Sequence, residues 1–147
     1  MNPSDLKRML TAMVPFVNTV GIVIDDIGQG TAQATLPEDK SVQNHLGTAH
    51  AGAVYTLGES ASGGVVLSLF ADHFPGIFVA LKSANVRHLK AAAGPVVATA
   101  TLVGEAKEIR STYDQSGKID FDVSVSLMVG DVETAKVTYT WAARAPR

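Results

Sequence analysis

Residues 44–64 read NHLGTAHAGAVYTLGESASGG, and the fold turns on this stretch. A polar opening with Asn44 and Gly47 gives way after His50 to small and apolar residues. Val54, Leu57, Ala61, Val65 and Leu69 recur at helical spacing and predict one buried stripe on a helix from about residue 50 to residue 70. Its other sides, with Tyr55, Ser62, Gly63 and Val66, are barely more polar. A helix that is apolar nearly all round is buried nearly all round. One carboxylate, Glu59, interrupts it.

Such a helix needs a wrapping, and the rest of the chain supplies strands. Ahead of it, Ser4 and Asp5 are read as the N-cap of a short helix within residues 1–15, with Leu6, Met9, Leu10 and Met13 on one side and Pro15 as its stop. Residues 20–37 are β-branched and carry Gly28 and Gly30, which predicts a strand with a bulge or bend, or a bent pair of strands. After the helix the pattern is strand throughout: residues 77–86, then the turn-forming AAAGP at residues 91–95, then residues 96–103. Ile119, Phe121, Val123, Val125 and Leu127 alternate with polar residues, as do Ala135, Val137, Tyr139 and Trp141, and Gly130-Asp131 between them predicts a tight antiparallel hairpin. The fold class expected is α+β: a long antiparallel sheet wrapped around a central buried helix, with a short N-terminal helix, in a single domain spanning residues 1–147.

Composition excludes several function classes. The 12 basic and 14 acidic residues leave no basic face to neutralise a phosphate backbone, so nucleic acid is not an expected partner. The absence of cysteine removes disulfides, thiolate metal sites and cysteine nucleophiles together, and the cytoplasm is the expected location. The opening MNPSDLKRMLTAMVPFV mixes an acid and two bases with apolar residues, unlike a signal peptide or a membrane span, and predicts a soluble chain without membrane partners.

The order of elements, with N-x-x-G-x-x-H ahead of a buried helix and an acid nine residues past the histidine, resembles the hot-dog fold. Within it, Asn44, Gly47, His50, Gly52 and Glu59 resemble the acyl-CoA thioesterases of the phenylacetate-pathway (PaaI) type, whose pattern is N-x-x-G-x-x-H-G-G followed by a helix bearing Asp. Two positions depart from it: Ala51 stands for the first glycine after the histidine and Glu59 for the aspartate. Related uncharacterised hot-dog families carry similar patterns. The resemblance implies hydrolysis of a thioester, with coenzyme A as part of the substrate and no separate cofactor. It also implies sites built at a homodimer interface, in a dimer or a dimer of dimers.

The residues support this chemistry on their own terms. Backbone N–H groups at a helix start lack intrahelical partners and sit at the positive end of the dipole, so Ala51 and Gly52 suit a thioester carbonyl. A carboxylate among apolar neighbours becomes a stronger base, so Glu59 suits activation of water or direct attack. The bland alternative is that Glu59 hydrogen-bonds a nearby backbone or a partner chain. His50 either orients the helix start or is an ordinary loop histidine, and Asn44 either positions the carboxylate or serves turn chemistry. Glu59 lies eight residues beyond Ala51, roughly 12 Å along a helix axis, too far for both to reach one carbonyl from one chain. That geometry predicts a site shared between two chains.

Arg87, His88 and Lys90, with Lys107 and Arg110 further on, offer cations for coenzyme A phosphates; Arg87 and Lys90 are the candidate binders, and a solvated rim is the alternative. Small residues such as Ala61 and Gly63 allow a roomy tunnel for an aliphatic or an aromatic acyl group. The DHFPG at residues 72–76 is similar to the HFP loop of hot-dog dehydratases but follows the helix instead of preceding it, which leaves His73 as a loop residue. His45, His50, His73 and His88 show no ligand spacing, so no metal is expected. Gly28 and Gly30 precede no helix and make no phosphate loop. The leading function is acyl-CoA hydrolysis; the alternatives are a non-catalytic acyl-CoA or lipid binder and a structural dimerisation module.

Overall fold

The structure, a computed structural model, describes residues 1–147. Helix α1 (Pro3–Met13) begins with a capping box: Asn2 Oδ1 accepts from the Asp5 N–H at 2.9 Å, and the Asp5 carboxylate accepts from the Asn2 N–H. Asn2, and not Ser4, is therefore the cap, because Pro3 already has the fixed φ of a first helical residue. Pro15 ends α1, as expected, and also starts a second short helix, α2 (Pro15–Val20), which closes on Gly21 at φ 84°.

Six strands form one antiparallel sheet in the order β1-β2-β4-β5-β6-β3. Strands β1 (Val23–Gly28) and β2 (Thr31–Leu36) are the bent pair. The turn between them is Gln29-Gly30, and the bulge falls between Ile24 and Asp26 and not at the glycines. Strands β5 (Lys118–Val129) and β6 (Val132–Arg144) form the expected hairpin, with Gly130 at φ 56° in its turn. Strand β4 (Val96–Leu102) lies between β2 and β5. The β3 strand (Phe78–His88) is paired only with β6 and leaves a free edge eleven residues long.

The second half is not all strand. Helix α4 (Ala106–Ser116) intervenes between β4 and β5. Ile109 and Tyr113, one turn apart, bury its apolar side, and Gly117 closes it at φ 70°. These are ordinary helix signals, missed because the stripe holds only two apolar residues.

The sheet wraps α3 (Ala51–Phe70), which packs against β1, β2, β4, β5 and β6. Val54, Leu57, Ala61, Val65 and Leu69 are all buried, as the stripe predicts. Each buried valine or leucine among them contributes about 1.5–3 kcal/mol of hydrophobic burial, and Ala61 less. Two glycines set how near the sheet approaches: a Cβ on Gly64 would lie 2.8 Å from Ala32 Cβ, and one on Gly58 would lie 2.4 Å from the Tyr139 hydroxyl. That hydroxyl donates to the Tyr55 carbonyl at 2.7 Å, and Trp141 Nε1 donates to Ser62 Oγ at 3.1 Å, so both large inward residues of β6 grip α3 through their polar atoms. The first turns of α3 are less covered, with Ala51 and Gly52 exposed and Tyr55, Thr56 and Glu59 half-buried.

Candidate active site

The loop before α3 is shaped by Asn44. Its Oδ1 accepts from the Leu46 and Thr48 N–H groups at 2.9 and 3.1 Å, its amide donates to Thr48 Oγ1 at 2.9 Å, and Gly47 turns the chain at φ 72°. The Asn44 side chain is thus committed to the loop. The outcome of that loop is the placement of His50 as the N-cap of α3, where its Nδ1 accepts from the Gly52 N–H at 2.8 Å. This bond requires Nδ1 to be unprotonated and so defines the tautomer. It also engages the Gly52 amide. The N–H groups of Ala51 and Ala53 have no partner, while Val54 already donates to the His50 carbonyl.

Ala51 borders an open cleft of about 330 Å³ with Asn44, His88 and Lys90 around it. The structure therefore brings three of the anticipated residues, Asn44, Ala51 and Lys90, to one place. Arg87 is not among them: it pairs in register with Lys136 on the outer side of the sheet, whereas Val86 and His88 pair with Val137 and Ala135 on the inner side. Arg110 is committed elsewhere, gripping Asp72 through two nitrogens at 3.0 and 2.7 Å and donating to the Leu69 carbonyl at 3.0 Å. That guanidinium holds the Asp72 carboxyl down to about 2. His73 stacks edge-on against Phe70 and Tyr113 beside this pair. The four histidines gather with no acids into a metal-ligating group.

Glu59 opens elsewhere, into a second cavity of about 140 Å³ lined mainly by apolar side chains of α1, α2 and α3, with Trp141 and Val79 on the sheet side. Burial pushes its carboxyl above the usual range, and no hydrogen bond opposes that shift. One turn earlier on the same face is Tyr55, whose phenol is raised by burial and then by the Glu59 charge. Tyr139, its ring centroid 5.5 Å from that of Tyr55, is raised by burial first and by the same two neighbours after it. Tyr55 could have been found in the sequence by its spacing of four from Glu59. Trp141 and the α1–α2 residues beside Glu59 could not, because their alternation and helical spacing read as core.

The arrangement of one sheet around one buried helix defines the hot-dog fold. It is shared with solved structures that cover nearly the whole chain. A protein of unknown function from Pseudomonas aeruginosa, described as a probable thioesterase, is 20% identical with a TM-score of 0.83, over 98% of this chain and 97% of its own. A mutant thioesterase from Pseudomonas aeruginosa is 17% identical with a TM-score of 0.76, covering 95% and 94% of the two chains. A mutant of the phenylacetic acid degradation protein PaaI from Thermus thermophilus is 18% identical with a TM-score of 0.69, covering 89% and 99%. At such identities the likeness is one of fold. The family model of DUF4442, a domain of unknown function, matches residues 4–142, and the chain belongs to that family. No curated protein matches the sequence. No helix is long and apolar enough to cross a membrane.

Proposed function

We propose that this protein is a thioester hydrolase acting on acyl-CoA, with Glu59 as base or nucleophile and the open start of α3 as the group that polarises the carbonyl. The single observation that carries the reading is the state of Glu59: a half-buried carboxylate facing an apolar cavity, with no hydrogen-bonding partner and a raised pKa. A carboxylate kept so without structural use is a base awaiting a proton donor. On the water route, Glu59 takes a proton from water, the oxygen attacks the carbonyl carbon, the C–S bond breaks, and the departing thiolate of coenzyme A takes up a proton. On the covalent route the Glu59 carboxylate attacks the carbonyl carbon, the C–S bond breaks, and the thiolate of coenzyme A leaves and takes up a proton. Water then hydrolyses the acyl–Glu59 anhydride to free the acid and regenerate the carboxylate. The favourable amides are those of Ala51 and Ala53, since Gly52 is engaged by His50. His50 and Asn44 act by shaping that helix start, and Lys90 at the cleft rim suits a phosphate of coenzyme A.

In this reading the active unit is a homodimer, alone or paired into a tetramer, in the cytoplasm. Within one chain Ala51 and Glu59 are separated by roughly 12 Å of helix and open into different cavities. A two-fold pair of chains sets Glu59 of one beside the helix start of the other, and the free edge of β3 offers backbone groups for such an association. The test is a thiol-release assay on acyl-CoA esters with Glu59→Gln and Gly52→Val chains, each inactive alone. A valine at Gly52 presses on the His50 ring, which lies 3.0 Å from the position of its Cβ. Mixed chains that exchange subunits should regain part of the activity, because one of the two sites is then intact. Verified exchange with no recovery would reject the shared site, and absence of hydrolysis by the native protein would reject the enzyme.

A further inference from the structure

The cavity beside Glu59 has a shape and chemistry of its own. Its floor is one side of α3: Glu59, Gly63, Val66 and Leu67 follow one another down the helix, a run of roughly 12 Å. Its roof is the N-terminal helix pair, through Leu10 and Met13 of α1, Val14 between the helices, and Val17 of α2. It offers no free hydrogen-bond donor: the Ser60 hydroxyl donates to the Thr56 carbonyl at 2.7 Å, and the Trp141 indole N–H donates to Ser62. A tail bearing an anionic or other acceptor group would lose its hydration there and find no donor. Gly63 stands midway along the floor, opposite Leu10, and its missing side chain leaves the passage open. Ala61, the other small residue considered for a tunnel, is buried on the stripe and lines none of it.

We infer that this cavity receives an unsubstituted, straight-chain acyl group of medium length, with its carbonyl at Glu59 and its tail along α3 beneath α1 and α2, and that Gly63 and Met13 set the chain length accepted. The inference rests on the thioesterase reading for its carbonyl end, but the tail site stands on the cavity alone. The walls favour an alkyl tail over an aryl one: seven aliphatic side chains line the cavity against two aromatic ones, Phe74 and Trp141, and the run along α3 is aliphatic. A run of this length matches an extended octanoyl tail.

The test uses the full chain with butanoyl-, octanoyl-, dodecanoyl- and phenylacetyl-CoA, read by thiol release and by the fluorescence of Trp141, the only tryptophan and a wall of the cavity. The expected result is a kcat/KM for octanoyl-CoA about tenfold or more above that for the butanoyl and phenylacetyl esters, with a saturable fluorescence change. Gly63→Val should lower the octanoyl to butanoyl ratio by about tenfold, and its Cβ has room, 3.6 Å from Leu10 Cδ1. Met13→Ala, at a position 46% exposed and safe for folding, should move preference towards dodecanoyl. A flat chain-length profile, a preference for phenylacetyl, or an unchanged ratio in folded Gly63→Val overturns the inference. No hydrolysis of any ester, with an octanoyl-dependent fluorescence change that Gly63→Val abolishes, supports the tail site and rejects the thioesterase instead.

Discussion

At its start α3 leaves Ala51 and Gly52 exposed and two amides unpaired, whereas at its end Phe70 is fully buried and Arg110 binds the Leu69 carbonyl. Both ends of any helix strand backbone groups, so the contrast lies in how they are met. The closed end is met by the protein itself, through a guanidinium that also anchors Asp72 and reaches Asp114 at 3.2 Å. The open end is met only in part, by one histidine ring. Satisfying every group gives stability, and leaving some unsatisfied beside an unpaired carboxylate's helix keeps capacity for a ligand at a cost in stability.

The largest effect that would sharpen this contrast is expected at Glu59. Glu59→Gln should lower thioester hydrolysis about a hundredfold or more while the fold persists. Its stability should move the other way. The folded carboxyl has a raised pKa, so the folded state binds more protons than the unfolded one in the window between the two values. Stability is therefore highest below the unfolded value and falls as pH rises through the folded one, where the buried charge must be carried. Glu59→Gln should accordingly raise Tm at neutral pH, with the gain vanishing in acid. Hydrolysis by the native protein should rise with pH along the same folded titration. A variant both active and no more stable at neutral pH would erase the distinction between the two ends.

Next in size is a comparison of neighbouring glycines. Gly64→Ala should destabilise by about 1–3 kcal/mol, because its Cβ would meet Ala32 and Ile27 with no room to yield. Gly63→Ala, facing the cavity, should stabilise by up to about 1 kcal/mol through helix propensity. Chemical denaturation of the pair measures both, and equal signs would refute the assignment of one to packing and the other to a passage.

At the closed end, Arg110→Ala should cost about 1–2 kcal/mol by freeing the Leu69 carbonyl and Asp72. The Asp72 carboxyl is depressed, so the ion-pair share of that loss is present above the ordinary carboxylate pKa and fades as pH falls towards about 2. Denaturation at neutral and acid pH should show the gap between native and variant narrowing. The smallest effect belongs to the open end: His50→Ala removes one cap and should cost about 1 kcal/mol of stability, measured by chemical denaturation, and should be more visible as a raised KM than as unfolding.

How much of this was readable in advance depended on whether a feature is local. The buried stripe of α3, the alternation of β5 and β6 and the turn at Gly130 are periodic signals, and they appear where expected. Helix α4 was missed, though Glu105 to Gly117 carries the spacing and the closing glycine, because two apolar residues make a faint stripe. The cap of α1 is Asn2, two residues ahead of the Ser4 that the sequence suggests, because Pro3 is itself the first helical residue.

The sequence by itself determined that one nearly apolar helix carries one acid, that the helix is preceded by a histidine-bearing loop, and that strands must enclose it, since burial of a periodic apolar pattern requires a partner surface. Only the tertiary structure decided that His50 occupies the Gly52 amide, that Arg87 stands on the outer side of the sheet while Lys90 borders the cleft, and that α1 and α2 roof a cavity at Glu59. The reason is physical: spacing along a chain specifies which face of an element a residue occupies, whereas cavities and hydrogen bonds between distant elements arise from how those faces meet.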